Sequence, residues 1–159
     1  MRGLVGYFLT LVSLILSMVA QSAEFDQKKL HFGGGIAFNT SPANTALGYQ
    51  WFTGYDFSQY VDVGQRLGFS AELGYTNSGD MTPIVNSSLN GIWANAVASY
   101  RINTKVNYIN RLGLDFGDAF FTMMGMGVEY AVDEHIAARG EIVMRGGYKS
   151  YQLNLLYRF

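Results

Sequence analysis

What most limits the folds open to this chain is a two-residue alternation of apolar and other residues. It recurs in pieces of about ten residues separated by turn formers, the pattern of strands joined by hairpins. Eight strands are predicted, at roughly 29–39, 46–57, 66–77, 90–102, 105–116, 119–132, 135–145 and 149–159. Because side chains alternate across a strand, each strand has two faces that can be compared. One face carries residues such as Leu30, Phe32, Ile36 and Phe38 in the first strand and Ile92, Tyr100 and Ile102 in the fourth. Over all eight strands it has 45 positions, none of them charged. The other face has 37 positions within the same limits, and nine are charged: Asp56, Glu72, Arg101, Arg111, Asp115, Glu129, Arg139, Glu141 and Arg158. Arg145, one step past strand seven, brings that set to five acids and five arginines, which is neutral.

Composition fits this division. The chain of 159 residues is 49% hydrophobic and 14% charged, an average over one uncharged surface and one with the charge of an ordinary soluble domain. A net charge of -1 leaves no basic surplus to neutralise phosphates, so nucleic acid is excluded as a partner. The absence of Cys removes disulfide scaffolds, thiol chemistry and Cys-based zinc sites.

The first residues read as an address. Met1-Arg2 is a short positive region, 4–19 is an apolar run, and Ala20-Gln21-Ser22 places small residues where a signal peptidase reads them. A permanent anchor would need a longer run followed by basic stop-transfer residues. The expected division is a signal peptide at 1–22 and a single domain at 23–159.

Two closed sheets suit such strands. A soluble barrel buries the apolar face and leaves the charged one in water, as in a lipocalin-like carrier. A membrane barrel does the reverse, with apolar residues against lipid and polar ones in the lumen. Strands of about ten tilted residues match the hydrocarbon thickness, and only a closed sheet leaves no unpaired backbone in lipid. Tyr and Phe also gather at strand ends, as aromatic girdles require. The expected fold is therefore all-β: a closed, eight-stranded, antiparallel, up-and-down transmembrane β-barrel.

The last strand, Tyr151-Gln-Leu-Asn-Leu-Leu-Tyr-Arg-Phe159, alternates and stops on an aromatic residue. It resembles the C-terminal signal of Gram-negative outer-membrane barrels, carried here by Tyr151, Leu153, Leu155, Tyr157 and Phe159. With the leader and the strand count, the chain from about residue 25 is similar to the OmpA transmembrane domain and the OmpX/Ail group. The resemblance implies residence in the outer membrane after leader cleavage, surrounding lipid, and recognition by the barrel assembly machinery through the last strand. It also implies that both termini lie in the periplasm. Turns at 58–65, 103–104 and 133–134 are then periplasmic, and loops at 40–45, 78–89, 117–118 and 146–148 face outward. The length of 58–65 and the lipid-facing Asn110 are departures, and a bulge within 105–111 is one expectation they raise.

An eight-stranded barrel is just wide enough to be filled by side chains. Glu72, Arg101, Arg111, Glu129, Arg139, Glu141, Arg145 and Arg158 are expected to form a lumen charge network of carboxylate–guanidinium pairs. In particular, Glu72, Glu129 and Glu141 should pair with some of Arg101, Arg139 and Arg158. A packed polar core is favoured, with a narrow ion or solute pathway as the alternative.

Catalysis has little support. His31 and His135 both open strands at the periplasmic end and are expected at the rim, away from an outer-leaflet substrate. Asp80, Asp115 and Asp118 are too sparse for calcium, so no metal, cofactor or catalytic residue is expected. Met123, Met124 and Met126 divide between the two faces and read as packing or lipid contact. An extracellular partner would use loop 78–89, whose Met81, Ile84 and Val85 form a candidate contact patch or else fold onto the rim. Folding onto the rim is favoured. The reading is a non-enzymatic barrel with a structural or surface-interaction role, then a narrow channel, then a periplasmic carrier.

Overall fold

The computed structural model describes residues 26–42, 44–58, 66–81, 88–117 and 120–159. The expected leader at 1–22 and its boundary lie outside them, as do Ile84 and Val85. A short 3-10 turn, Gln27–Lys29, precedes eight strands: β1 Leu30–Thr40, β2 Thr45–Asp56, β3 Leu67–Asp80, β4 Ser88–Arg101, β5 Val106–Phe116, β6 Phe120–Ala131, β7 Ile136–Arg145 and β8 Tyr148–Arg158. Each pairs antiparallel with the next, and β1 pairs with β8 to close the barrel. Phe32 lies opposite Tyr157 and Phe38 opposite Tyr151 across that seam.

The connections at the end that carries the termini show why the chain turns where it does. Asn103 Oδ1 accepts from the backbone N–H groups of Lys105 and Val106, both at 2.8 Å. Asp133 Oδ1 does the same for His135 and Ile136, both at 2.7 Å. These are Asx turns, in which a short polar side chain replaces the ladder acceptor. The backbone hydrogen bonds of His135 and Ile136 hold the Asp133 carboxyl below the usual carboxylate range. At the opposite end, β7 and β8 join through Gly146 and Gly147, with φ of 49° and 108°. A two-residue hairpin that matches strand twist needs positive φ, and glycine reaches it without strain.

The faces are inverted relative to a soluble protein. Outward side chains include Leu47, 66% exposed, Leu112, 63%, and Leu155, 64%, while Glu72 and Arg111 are 2–3% exposed inside. Such an outer surface is solvated by lipid and opposed by water. The inside holds an apolar cluster of Phe52, Trp93, Met123, Ala137, Val143 and Leu156. Gly74 makes that packing possible: a Cβ there would lie 2.5 Å from the Trp93 ring and 2.7 Å from Phe52 Cβ.

Two expectations are corrected. No bulge interrupts 105–111, since β5 keeps an unbroken register with both neighbours. Asn110 does point outward, and its amide oxygen accepts from the Tyr108 hydroxyl at 3.2 Å, so its polarity is answered locally. The register shift lies instead between Asn77 and Asp80, where Gly79 takes φ 71°. The ladder between β3 and β4 also runs further than expected, with Asp80 opposite Ser88. Residues 78–80 and 88–89 of the predicted loop 78–89 are therefore strand.

Candidate functional site

The lumen is crossed by a network centred on Glu72 of β3. Its carboxylate accepts from Arg111 of β5 at 3.0 Å, from Arg139 of β7 at 2.6 Å, and faces His31 Nε2 of β1 at 3.2 Å. Arg111 also reaches Glu141 of β7 at 2.8 Å, and Asn154 of β8 donates to the same carboxylate at 3.2 Å. Arg139 turns its Nε and Nη2 to Glu129 of β6 at 3.0 and 2.8 Å. Arg158 of β8 completes the set against Glu129. Five strands thus contribute three carboxylates and three guanidinium groups, so the network balances, and β1 adds His31. Buried charges are tolerable only when paired and hydrogen-bonded in this way.

Aromatic rings add a second layer. The Arg111 guanidinium lies 5.4 Å from the Trp93 ring centroid and that of Arg139 lies 5.5 Å from Phe52. A planar cation over a ring gains quadrupole attraction while its edges remain free for carboxylates. Arg, Glu and aromatic side chains thus share one buried layer of the lumen.

The expected network residues divide into three groups. Glu72, Arg111, Glu129, Arg139, Glu141 and Arg158 come together as described. Arg145 lies apart, paired with Asp115 at 3.0 Å nearer the other end. Arg101 is a correction: it is exposed at the rim of the terminal end and makes no ion pair among the described residues. Its strand ends there, so its side chain starts beyond the reach of Glu72.

His31 corrects a second expectation. It is 7% exposed and points into the lumen, not along the rim, because Gly54 opposite it leaves space that a Cβ would take. Glycine on the lumen face of the neighbouring strand was the available signal. His135 does stay exposed, stacked on Tyr157 at 5.8 Å between centroids, with Nδ1 3.0 Å from the Arg158 carbonyl. Among the described residues neither imidazole contacts a serine hydroxyl.

An amide cluster went unforeseen. Gln50 of β2 donates to Gln152 at 2.8 Å and Asn154 at 2.9 Å on β8, reaching across β1. Gly35, opposite both Gln50 and Asn154, leaves that span clear.

At the outer rim, Met81 is 5% exposed, so it is no part of an exposed contact patch. The rim position is the one burial of an apolar side chain favours. Tyr151, Leu153, Leu155 and Tyr157 of β8, and Phe159 just past its end, are exposed on the outer face at 47–64%.

No family model matches the sequence, and no curated protein matches it either. Solved structures do. A de novo designed transmembrane β-barrel superposes with a TM-score of 0.61 at 16% identity, covering 86% of this chain and all of the other. The outer membrane enzyme PagL gives 0.57 at 12%, covering 81% of this chain and 99% of that one. Ail, the attachment invasion locus protein of Yersinia pestis, gives 0.54 at 14%, covering 82% and 96%. At such identities the likeness is one of architecture, and the architecture is that of the small eight-stranded outer-membrane barrels.

Proposed function

We propose that this chain is a non-enzymatic outer-membrane barrel with a structural or surface-interaction role and a lumen closed by its charge network. The observation that carries the reading is Glu72, held by Arg111, Arg139 and His31 at the barrel's centre. Each guanidinium of the network has its own carboxylate neighbours, so no charged side chain within the network is free to hand an ion along. The non-enzymatic part is supported by the two histidines, one consumed in the network and one at the terminal rim, with no serine hydroxyl against either among the described residues. PagL, which shares the fold, is named as an enzyme, so the architecture alone is neutral on this point.

Location follows the same logic. The apolar exterior requires lipid, the leader at 1–22 directs export, and β8 presents Tyr151, Leu153, Leu155, Tyr157 and Phe159 as the assembly signal. A soluble carrier is disfavoured because the apolar face points away from the lumen. A binding role would fall to the segment between β3 and β4, with Ile84 and Val85 as its apolar contacts.

Planar-bilayer recording of the folded chain tests the reading. The expected trace has no steady conductance. Sustained currents through the wild-type barrel would replace it with the narrow-channel reading.

A further inference from the structure

The end of the barrel where β1 begins and β8 ends opens into a polar cavity of about 530 Å³, which shares His31, Glu129, Arg139 and Arg158 with the balanced network above it. Among the described residues its charged lining is Arg66, Arg101, Arg139, Arg158, Asp56 and Glu129; Arg139, Arg158 and Glu129 belong to the balanced network, so the cavity's own charges are Arg66, Arg101 and Asp56, an excess of one positive charge. Most of these charges are already committed. Glu129 is taken by Arg139 and Arg158, and the Asp56 carboxylate accepts from the backbone N–H of Ser58 at 2.7 Å and from its hydroxyl. Arg66 and Arg101 are the guanidinium groups of the lining that remain without an ion pair among the described residues, with the Asp56 carboxylate the one counter-charge beside them.

These two are tied together at the backbone, where Arg101 N–H donates to the Arg66 carbonyl at 2.8 Å. Their side chains therefore leave adjacent points of the rim. Arg66 reaches the Tyr100 hydroxyl at 3.5 Å, the only side-chain partner of either guanidinium among the described residues. Gly68 also lines the cavity, and a Cβ there would sit 2.5 Å from Ser99 Oγ and 2.9 Å from Ser58 Oγ. The bare glycine leaves the Ser99 hydroxyl facing the cavity as a further donor. Two guanidinium groups and a hydroxyl around open space make a receptor for a tetrahedral oxyanion.

We propose that this cavity binds a phosphate group, held by Arg66 and Arg101 with Ser99 donating. Leu67 and Tyr100, at the same rim, are outward and exposed, which puts the cavity mouth beside the lipid surface. The phosphate therefore comes from a phospholipid headgroup of the adjoining leaflet or from solution.

The test uses the folded full chain in a phosphate-free, non-ionic detergent. Inorganic phosphate is titrated while backbone amides of Gly68, Ser99, Arg101 and Asn107 are followed by NMR. In a second arm, the protein in phosphatidylglycerol vesicles is compared with the protein in vesicles of a phosphate-free galactolipid. Saturable shifts at those amides in the first arm, absent in the second, assign free phosphate. Shifts in the phosphatidylglycerol vesicles that suppress the response to added phosphate assign the headgroup. Arg66→Gln and Arg101→Gln should each weaken binding by about tenfold, the scale of a lost charge-assisted contact. Lys149→Gln, which removes a cation from the opposite end, should leave affinity within about twofold, outside the range of direct contact. Arg101→Lys keeps the charge and should retain part of the binding, and heat-modifiable gel migration confirms that each variant is folded. No saturable change in either arm, or equal affinity in the Arg66→Gln/Arg101→Gln and Lys149→Gln proteins, overturns the proposal.

Discussion

Replacing Glu72 with Gln keeps the side chain's shape and removes the charge on which Arg111, Arg139 and His31 converge. The contacts at stake are those at 3.0, 2.6 and 3.2 Å, with the carboxylate fully buried. Gln retains one acceptor oxygen and places an NH2 group against a cation. Two charge-assisted hydrogen bonds are lost or reversed, each worth about 1.5–3 kcal/mol. Arg111 keeps Glu141, and Arg139 keeps Glu129, so neither guanidinium is orphaned and part of the loss is recovered. The expected destabilisation is about 3 kcal/mol, at the lower end of what breaking a buried pair causes. Urea unfolding of the barrel in vesicles, read by Trp93 fluorescence and by gel migration, measures it. Adding Arg111→Met returns the network to neutrality, so the double variant should lose less than the two single variants together. Glu134→Gln, on an exposed turn, should stay within about 0.5 kcal/mol of wild type. A Glu72→Gln protein as stable as the Glu134→Gln one would refute the claim that Glu72 organises the lumen.

Three further outcomes follow from the same geometry. Leu155→Arg puts a cation on the lipid face at a residue 64% exposed and should destabilise the barrel by about 2–4 kcal/mol in vesicles, more than it does in micelles that deform around it. Gly74→Ala drives a methyl against Trp93 and Phe52 and should cost about 1–3 kcal/mol of stability with a shift in Trp93 emission; an unchanged unfolding midpoint would show that the rings have room to move. The Asp133 carboxyl, in a carbon-13 titration, should have its midpoint below the ordinary 3.8, since the His135 and Ile136 N–H groups favour its charged form. Its folded value is depressed, so its support for the turn is present above the unfolded value and lost as pH falls through the folded one. A midpoint at or above 3.8 would mean the Asx turn is not formed.

Much of the architecture was legible along the chain because strand alternation is a local property. Successive hairpins dictate that each strand pairs with the next, and each strand's phase sets which side chains look inward. Asn103 and Asp133 mark turns by hydrogen bonds that span only two or three residues, so they too are readable in order. The inverted faces named the solvent: an uncharged exterior has to meet lipid.

What the lumen does with its charges depends on distances between strands far apart in sequence. Alternation says that Glu72, Arg111 and Arg139 point inward, but their meeting depends on depth and azimuth around a closed barrel. Those are set when β8 comes back to pair with β1, a closure in which every register contributes. That is why Arg101, on the same face as Glu72, ends at the rim while His31, seemingly a rim residue, enters the network. It is also why Gln50 meets Gln152 and Asn154 across a glycine. Local chemistry along the strand selected the fold and the inward side chains; the closure of the sheet selected their partners, because ion pairs form through space between points that only a complete barrel brings within 3 Å.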